Sequence, residues 1–286
     1  MKPSTIREII ARIGSELGQL YNDPAEGKSV AELLLCDLMQ TSRAGLYGIG
    51  GKISDPEVLK KIQLNFDRLL ENEPLQYVIG KAWFCGLELA VEPGVLIPRP
   101  ETEELVNWVV SVNRMDQFNL QILDIGTGSG CIALALKNLL PEAVVTGVDI
   151  SERALRIARK NSEQLNLDVQ WVCQDIFSDN MQFDTDRKLV IVSNPPYVLE
   201  SERKDMPERV VSYEPSSALF VPDDDPLTFY NKITSVFTQK AAQIFFEINP
   251  VVVAEFAQLA EKQGFIFEKR SDFMGKDRMV AFFSRK

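Results

Sequence analysis

A chain of 286 residues with 45% hydrophobic and 25% charged side chains has room for one large or two modest domains and has the balance of an ordinary globular protein. Its formal charge of −10 opposes a polyanionic partner, because phosphate neutralisation by Lys and Arg dominates that affinity, and no apolar run reaches the roughly 18 residues of a membrane span. The absence of histidine excludes Ser-His and Cys-His nucleophile pairs and histidine metal sites.

Four cysteines, Cys36, Cys85, Cys131 and Cys173, are too scattered for a metal or disulfide framework and are expected to be buried free thiols. The start Met-Lys-Pro-Ser-Thr lacks a signal-peptide apolar region, so a cytoplasmic location is expected, with no membrane or nucleic-acid partner and a monomeric state.

Residues 1–72 read as a helical bundle. Ile6, Ile9, Ile10, Ile13 and Leu17 recur at helical spacing behind Ser4-Thr5 as a cap. Ser29-Val-Ala-Glu32 has the capping-box pattern and predicts the start of a second helix with Val30, Leu33, Leu34 and Leu38 on one side. Gly45, Gly48, Gly50 and Gly51 predict a loop, after which Ser54-Asp55-Pro56-Glu57 opens a third helix with Pro56 in its first turn. The bundle carries no catalytic motif, so it is either structural or a surface for recognising a partner.

Residues 73–100 form a linker. Partial alternation from Trp83 to Val91, with Val91-Glu92-Pro93-Gly94 as a turn, predicts a short hairpin over 80–96. Ile97-Pro-Arg-Pro-Glu-Thr-Glu103 then gives a stiff, extended entry to a helix carrying Leu105, Val106, Val109 and Val110. Residues 101–286 make the second domain, where from about 120 the pattern alternates strand and helix. Strands are predicted at Ile122-Leu123, Ala143–Val148, Val169–Cys173, Leu189–Val192 and Ile244–Phe246, with helices between them. Two closing apolar runs, Phe265–Phe267 and Met279–Phe283, have no helix between them. They imply an α/β, Rossmann-like sheet that is parallel except for an antiparallel last strand.

A glycine-rich turn between strand and helix, Asp124-Ile-Gly126-Thr127-Gly128-Ser129-Gly130, lets the backbone approach a ligand closely. Asp149, at the end of the next strand, stands where ribose hydroxyls are accepted. A nicotinamide dinucleotide needs Gly-x-Gly-x-x-Gly/Ala, and Cys131 fills the third-glycine slot. S-adenosylmethionine, with both an ammonium group and a ribose, fits better. Asp124 can meet that ammonium or can pin the loop. Asp175 and Ile176 close the third strand, where Asp175 can bond an adenine amine and Ile176 can cover the ring, or where they serve as a cap and a core residue. No metal site is expected.

Leu189–Val192 runs into Ser193-Asn194-Pro195-Pro196-Tyr197, a strand stopped by two prolines that fix φ and remove two donors. Methyl transfer from a sulfonium needs a nitrogen lone pair aimed at the methyl carbon. The Asn194 side-chain oxygen and the Pro195 carbonyl can each accept from a substrate NH2, and Tyr197 can pack against its planar group. No imidazole base is required, because an N-methylated amide cation sheds its proton readily.

With these residues in view, the chain resembles the release-factor glutamine methyltransferases. The resemblance rests on Pro74-Leu-Gln-Tyr77 with Gly80, Val95-Leu-Ile-Pro-Arg-Pro-Glu-Thr-Glu103, Leu123–Gly130, Ser193–Tyr197 and Tyr213-Glu214-Pro215 followed by Ala218-Leu219. It implies a seven-stranded methyltransferase sheet and methylation of the side-chain amide nitrogen of the glutamine in the Gly-Gly-Gln motif of peptide chain release factors. It also implies cofactor binding by Gly126 to Gly130, Asp149, Ile176 and Asn194, and glutamine binding by Asn194, Pro195, Pro196 and Tyr197. Asparagine-Pro-Pro-Tyr and the glycine loop also occur in adenine amino-methyltransferases of DNA and RNA, and a non-catalytic binding module with a retained cofactor pocket is a third reading. The chain departs from the family pattern at Ile176, at Val221-Pro-Asp-Asp-Asp-Pro226 in place of a Gly-Gly-x-Asp-Gly stretch, and at Glu247-Ile-Asn-Pro250 in place of Glu-x-Gly and a glutamine.

Overall fold

Capping side chains and prolines decide where the N-terminal helices begin. The computed structural model describes residues 2–49, 51–178 and 186–285, and these divide into two compact units, 1–81 with 207–213 and 82–206 with 214–286. In the first, β1 (Ser4–Thr5) leads into α1 (Ile6–Leu20), where Thr5 and Glu8 exchange side-chain-to-backbone bonds in a capping box. The second helix, α2 (Pro24–Leu38), starts well before the sequence-based expectation at Ser29. Asp23 accepts from the N–H groups of both Ala25 and Glu26, and Pro24 at the first position sacrifices no hydrogen bond, so this start outcompetes Ser29, which sits mid-helix.

The expected glycine loop is partly helical: Ser42 caps α3 (Arg43–Gly48) through the Gly45 N–H, while Gly50 lies outside the described residues. Next come β2 (Lys52–Ile53), which pairs antiparallel with β1, then α4 (Pro56–Leu70), capped by Asp55, and α5 (Leu75–Ile79). Ile9, Ile13 and Leu17 of α1 meet Leu34, Leu35, Ile62 and Phe66 in one apolar core.

Downstream, β3 (Lys81–Phe84) and β4 (Leu87–Ala90) form the expected hairpin, but it reverses at Cys85 and Gly86, both at positive φ, and Val91–Gly94 follow its second strand. The second unit then contains α6 (Pro100–Asn113), β5 (Leu120–Ile125), α7 (Cys131–Leu139), β6 (Val144–Asp149), α8 (Glu152–Leu165), β7 (Gln170–Cys173), β8 (Lys188–Ser193) and β9 (Val198–Leu199). Helix α9 (Glu208–Tyr213) belongs to the first unit, where Arg209 pairs with Glu26 at 2.7 Å and the Tyr213 hydroxyl donates to the Glu71 carbonyl at 2.7 Å. The chain closes with β10 (Phe220–Val221), α10 (Thr228–Phe237), β11 (Gln243–Glu247), α11 (Val253–Lys262), β12 (Phe265–Ser271) and β13 (Asp277–Ser284).

Seven strands form one sheet in the order β12-β13-β11-β8-β5-β6-β7, parallel except for β13, which runs antiparallel to both neighbours. Strand β8 explains why its sequence is apolar without alternation. Val190 and Val192 pack into the core that holds Trp108 and Phe245, whereas Leu189 and Ile191 face Tyr230, Ile233 and Phe246 on the opposite side. The order reverses at β5, between β6 and β8, so the segments leaving β5, β6 and β8 open a crevice at the carboxyl edge of the sheet.

All four thiols are free, but none is fully buried, and Cys173, on β7 at the edge of the sheet among the described residues, is exposed. Among the described residues, no helix is long and apolar enough to cross a membrane, and no cluster of three or more His, Cys, Asp or Glu is placed to hold a metal ion.

Candidate active site

The glycine loop is shaped by groups close to it in sequence. Gly130 opens α7 and has no side chain to cap it; Asp124 reaches across instead, its Oδ2 accepting from the Ala133 N–H at 3.1 Å and from the Thr127 hydroxyl at 2.5 Å. Asp124 Oδ1 is buried without a hydrogen-bond partner, and burial pushes this carboxyl up to about 7, against the opposing pull of those two bonds. Of its two readings from sequence, loop pinning is the one with visible contacts.

Gly128, at φ +56, turns its N–H onto Asp149 Oδ2 at 2.8 Å, and a side chain there would project into open space on the ligand side. Gly147 on β6 has a different constraint: a Cβ would lie 2.4 Å from the Trp171 ring, so only glycine lets β7 and the loop close on that strand. Asp149 Oδ1 accepts from the Ser151 N–H at 2.8 Å, and burial raises its carboxyl despite the backbone donors around it. Ile150 is the third backbone donor that bears on this carboxylate. Buried Asn161 ties the loop to β4, donating to the carbonyls of Ser129 and Ala90.

A cavity of about 370 Å³ lies in the crevice. Of the residues singled out from sequence, Gly126, Gly128, Asp149, Asp175, Ile176, Asn194, Pro195 and Pro196 line it, while Asp124, Thr127, Ser129, Gly130 and Tyr197 are not part of its lining. Asp175 accepts from the Phe177 N–H at 2.8 Å as a turn cap, and Ile176 belongs to the core, yet both also face the cavity. Sequence reasoning passed over Val95, Leu96, Phe177, Phe229 and Ile233, which complete the apolar part of the wall. Phe177 and Phe229 meet edge to face at 5.1 Å, a pairing of residues from distant segments with no local signature.

At the opposite wall, the Ser193 hydroxyl donates to the Ile125 carbonyl at 2.6 Å and holds the end of β8 against β5. Asn194 Nδ2 donates to Thr102 Oγ1 at 3.2 Å. Thr102 in turn donates to Glu247 Oε2 at 2.6 Å, and the Tyr197 hydroxyl donates to Glu247 Oε1 at 2.9 Å. Glu247 is buried at the end of β11, which raises its carboxyl above the ordinary range even though both hydroxyls favour its charge. The expected packing role of Tyr197 thus meets a ring whose hydroxyl is anchored inward. Asn194 Oδ1 is engaged by no hydrogen bond among the described residues.

This arrangement sets a glycine-cradled, partly apolar cavity beside an amide acceptor. Residues 109–214 match the model of the Methyltransferase small domain, and residues 8–80 match that of the PrmC N-terminal domain. The release factor glutamine methyltransferase of Bacteroides thetaiotaomicron is 40% identical over 96% of this chain and 99% of its own length. That of Flavobacterium psychrophilum is 43% identical over 74% of this chain and 76% of its own. This chain belongs to the release factor glutamine methyltransferase family.

Among solved structures, the N-terminal domain of human METTL16 aligns with a TM-score of 0.52 at 18% identity, covering 70% of this chain and 76% of that one, a likeness of fold. As a member of its family the chain is a methyltransferase, and its methyl donor is S-adenosylmethionine. The cavity fits such a donor: backbone glycines leave room for it, Asp149 presents a carboxylate to it, and Ile176 and Phe177 supply an apolar face.

The structure pairs further residues whose role the sequence left blank. Buried Glu214 accepts from the Ile97 N–H at 3.0 Å and from Arg99 at 2.5 Å, so Glu214 and the Ile97–Arg99 segment form one clasp. Glu103 accepts from the Cys85 N–H at 3.0 Å and seats the hairpin turn. At the departures from the family pattern, Val221 pairs with Leu199 in a short parallel ladder, Asp223 accepts from Ser201, and Asn249 donates to the Tyr197 carbonyl at 3.2 Å. The substituted residues therefore have partners of their own.

Proposed function

We propose that this protein transfers a methyl group from S-adenosylmethionine to the side-chain amide nitrogen of the glutamine in the Gly-Gly-Gln motif of peptide chain release factors. The observation that carries this reading is Asn194, on the cavity wall with its Nδ2 tied to Thr102 and its Oδ1 unengaged. A primary amide is a poor nucleophile because its lone pair is delocalised. Acceptors at Asn194 Oδ1 and the Pro195 carbonyl draw on the two N–H bonds of the substrate, turn the nitrogen toward the methyl carbon and stabilise the positive charge that grows there.

When bound, the cofactor supplies an electrophilic methyl group on a sulfonium. The chemistry it would supply is methylation of the amide nitrogen, and the proton displaced from that nitrogen would pass to water, so no side chain would be needed as a base. Gly126, Gly128 and Asp149 would hold the cofactor's main body, with Thr127, Ser129, Gly130 and Asp124 setting the loop behind them. Ile176 and Asp175 would meet its adenine, and Pro196 and Tyr197 would shape the substrate side. The relatives' names supply the release-factor substrate, and the apposition of amide acceptors with the cofactor cavity accounts for the reaction type.

Incubating the protein with methyl-labelled cofactor and a release factor tests this directly. Label should enter the wild-type factor and not a variant whose Gly-Gly-Gln glutamine is replaced by alanine. Label in the alanine variant, or in DNA or RNA offered in its place, overturns the reading.

A further inference from the structure

We propose that Thr102 and Glu247 are positioning residues that dictate which end of the Asn194 amide faces the substrate, an inference that rests on the methyl-acceptor reading of Asn194 above. An asparagine side chain has nearly the same shape either way round, so packing alone does not choose between its oxygen and its nitrogen. A substrate NH2 has donors to place and needs oxygen. A flipped Asn194 would set donor against donor.

The choice is made by proton bookkeeping in a buried chain of three groups. Burial opposes the charge of Glu247, but both hydroxyls and the Arg278 charge favour it, and in that ionised form it only accepts, its two oxygens taking the single hydroxyl protons of Thr102, at 2.6 Å, and Tyr197, at 2.9 Å. With its proton committed, Thr102 presents only lone pairs to Asn194, and the 3.2 Å contact can be made only with Nδ2 as donor. Oδ1 is left for the substrate. Thr102 and Glu247 are 2% and 1% exposed, so water does not offer the alternative donors that would blur this choice.

The same strand end fixes the rest of the motif. Asn249, two residues beyond Glu247, donates to the Tyr197 carbonyl at 3.2 Å and to Glu202 at 2.8 Å, and Glu202 accepts from the Leu199 N–H at 2.9 Å. Tyr197 is therefore held at its hydroxyl by Glu247 and at its backbone by Asn249. This also answers why a carboxylate is retained in a buried place where it is costly. Glutamine has the same shape, but its amide could donate to Thr102 as well as accept, and the polarity of the chain would become ambiguous.

Thr102→Val keeps the shape and removes the hydroxyl, Thr102→Ser restores it, and Glu247→Gln keeps the shape and removes the one-way acceptor. With a release factor as substrate, Thr102→Val and Glu247→Gln should lower kcat by about 10- to 100-fold while KM and the cofactor Kd stay within about threefold, and Thr102→Ser should return kcat to within about threefold of wild type. Independent of turnover, the Asn194 carboxamide protons, assigned by NMR in the wild-type chain through their loss in Asn194→Asp, should be protected from exchange in wild type and Thr102→Ser. That protection should be lost in Thr102→Val. Unchanged protection in Thr102→Val, or failure of serine to restore kcat, overturns the proposal. If wild type does not methylate release factors at all, the methyl-acceptor assignment fails while the exchange measurement still decides whether Thr102 orients Asn194.

Discussion

The two walls of the cavity are built in different ways. On the glycine wall the defining bonds join residues 3, 9 and 21 positions apart, Asp124 to Thr127, Asp124 to Ala133 and Asp149 to Gly128. On the proline wall they join residues 92, 145, 50 and 117 apart, linking Asn194 to Thr102, Thr102 to Glu247, Tyr197 to Glu247 and Ile97 to Glu214. The contiguous β5–turn–α7–β6 segment can therefore shape most of the first wall, with Asn161 tying it to β4. The second exists only once α6, β8 and β11 are all in place. The wall that would hold the donor is local, and the wall that would orient the acceptor is a product of the whole fold, so damage to one should be separable from damage to the other.

The largest separation is expected at Asn194. Asn194→Ala should lower turnover by about a thousandfold, equivalent to roughly 4 kcal/mol of transition-state stabilisation, while the cofactor Kd, read by calorimetry, moves by less than about fivefold. An equal loss in both would mean that the walls act as one site.

On the glycine wall, the expected effect is in stability rather than turnover. Asp124 has an ordinary value of 3.8 and is pushed up to about 7 by burial, so between those values the native state keeps a proton that the unfolded chain has lost. Stability should therefore fall as pH rises from about 4 to about 7 and level off above. Asp124→Asn retains an oxygen for Thr127 and Ala133 and puts an amide NH2 at the unpartnered position, so it should remove that slope. Comparing urea unfolding of wild type and variant at pH 5 and pH 8 should show the gap between them shifting in favour of the variant by on the order of 3 kcal/mol. A gap that does not change with pH would show that the buried carboxyl stays charged across the range.

The same division explains what could be read from the sequence. The alternation of strands and helices, the antiparallel last strand and the glycine loop followed from apolar runs and turn residues, which act over short distances, whereas the order of the strands did not. Asn194 was legible because two prolines after a β-branched run have no ordinary turn purpose. Thr102, Glu214 and Glu247 stood in segments compared with the family pattern, but no physical signal in those segments assigned them a role. Threonine and glutamate are common surface residues, and only the assembled fold shows these to be buried and paired. Phe229, on a helix for which no turn signal was recognised, was missed for the same reason. At α2 the reading followed the capping-box pattern at Ser29, while Asp23-Pro24, which it passed over, makes the stronger cap and starts the helix.

The smallest effects give the finest comparison. Removing one carboxylate from the clasp by Glu214→Ala strips a buried acceptor from both the Ile97 N–H and Arg99, and should cost about 2 kcal/mol in urea unfolding, with part of the Arg99 charge relieved by its solvent exposure. Ser151 caps α8 on the other wall, accepting from the Ala154 N–H at 3.2 Å, and its loss leaves that one donor without its cap. Ser151→Ala should therefore cost about 1 kcal/mol. If the distant clasp proves no more expensive than the local cap, then long sequence separation carries no extra energetic weight here, and the proline wall is held by packing rather than by its buried polar bonds.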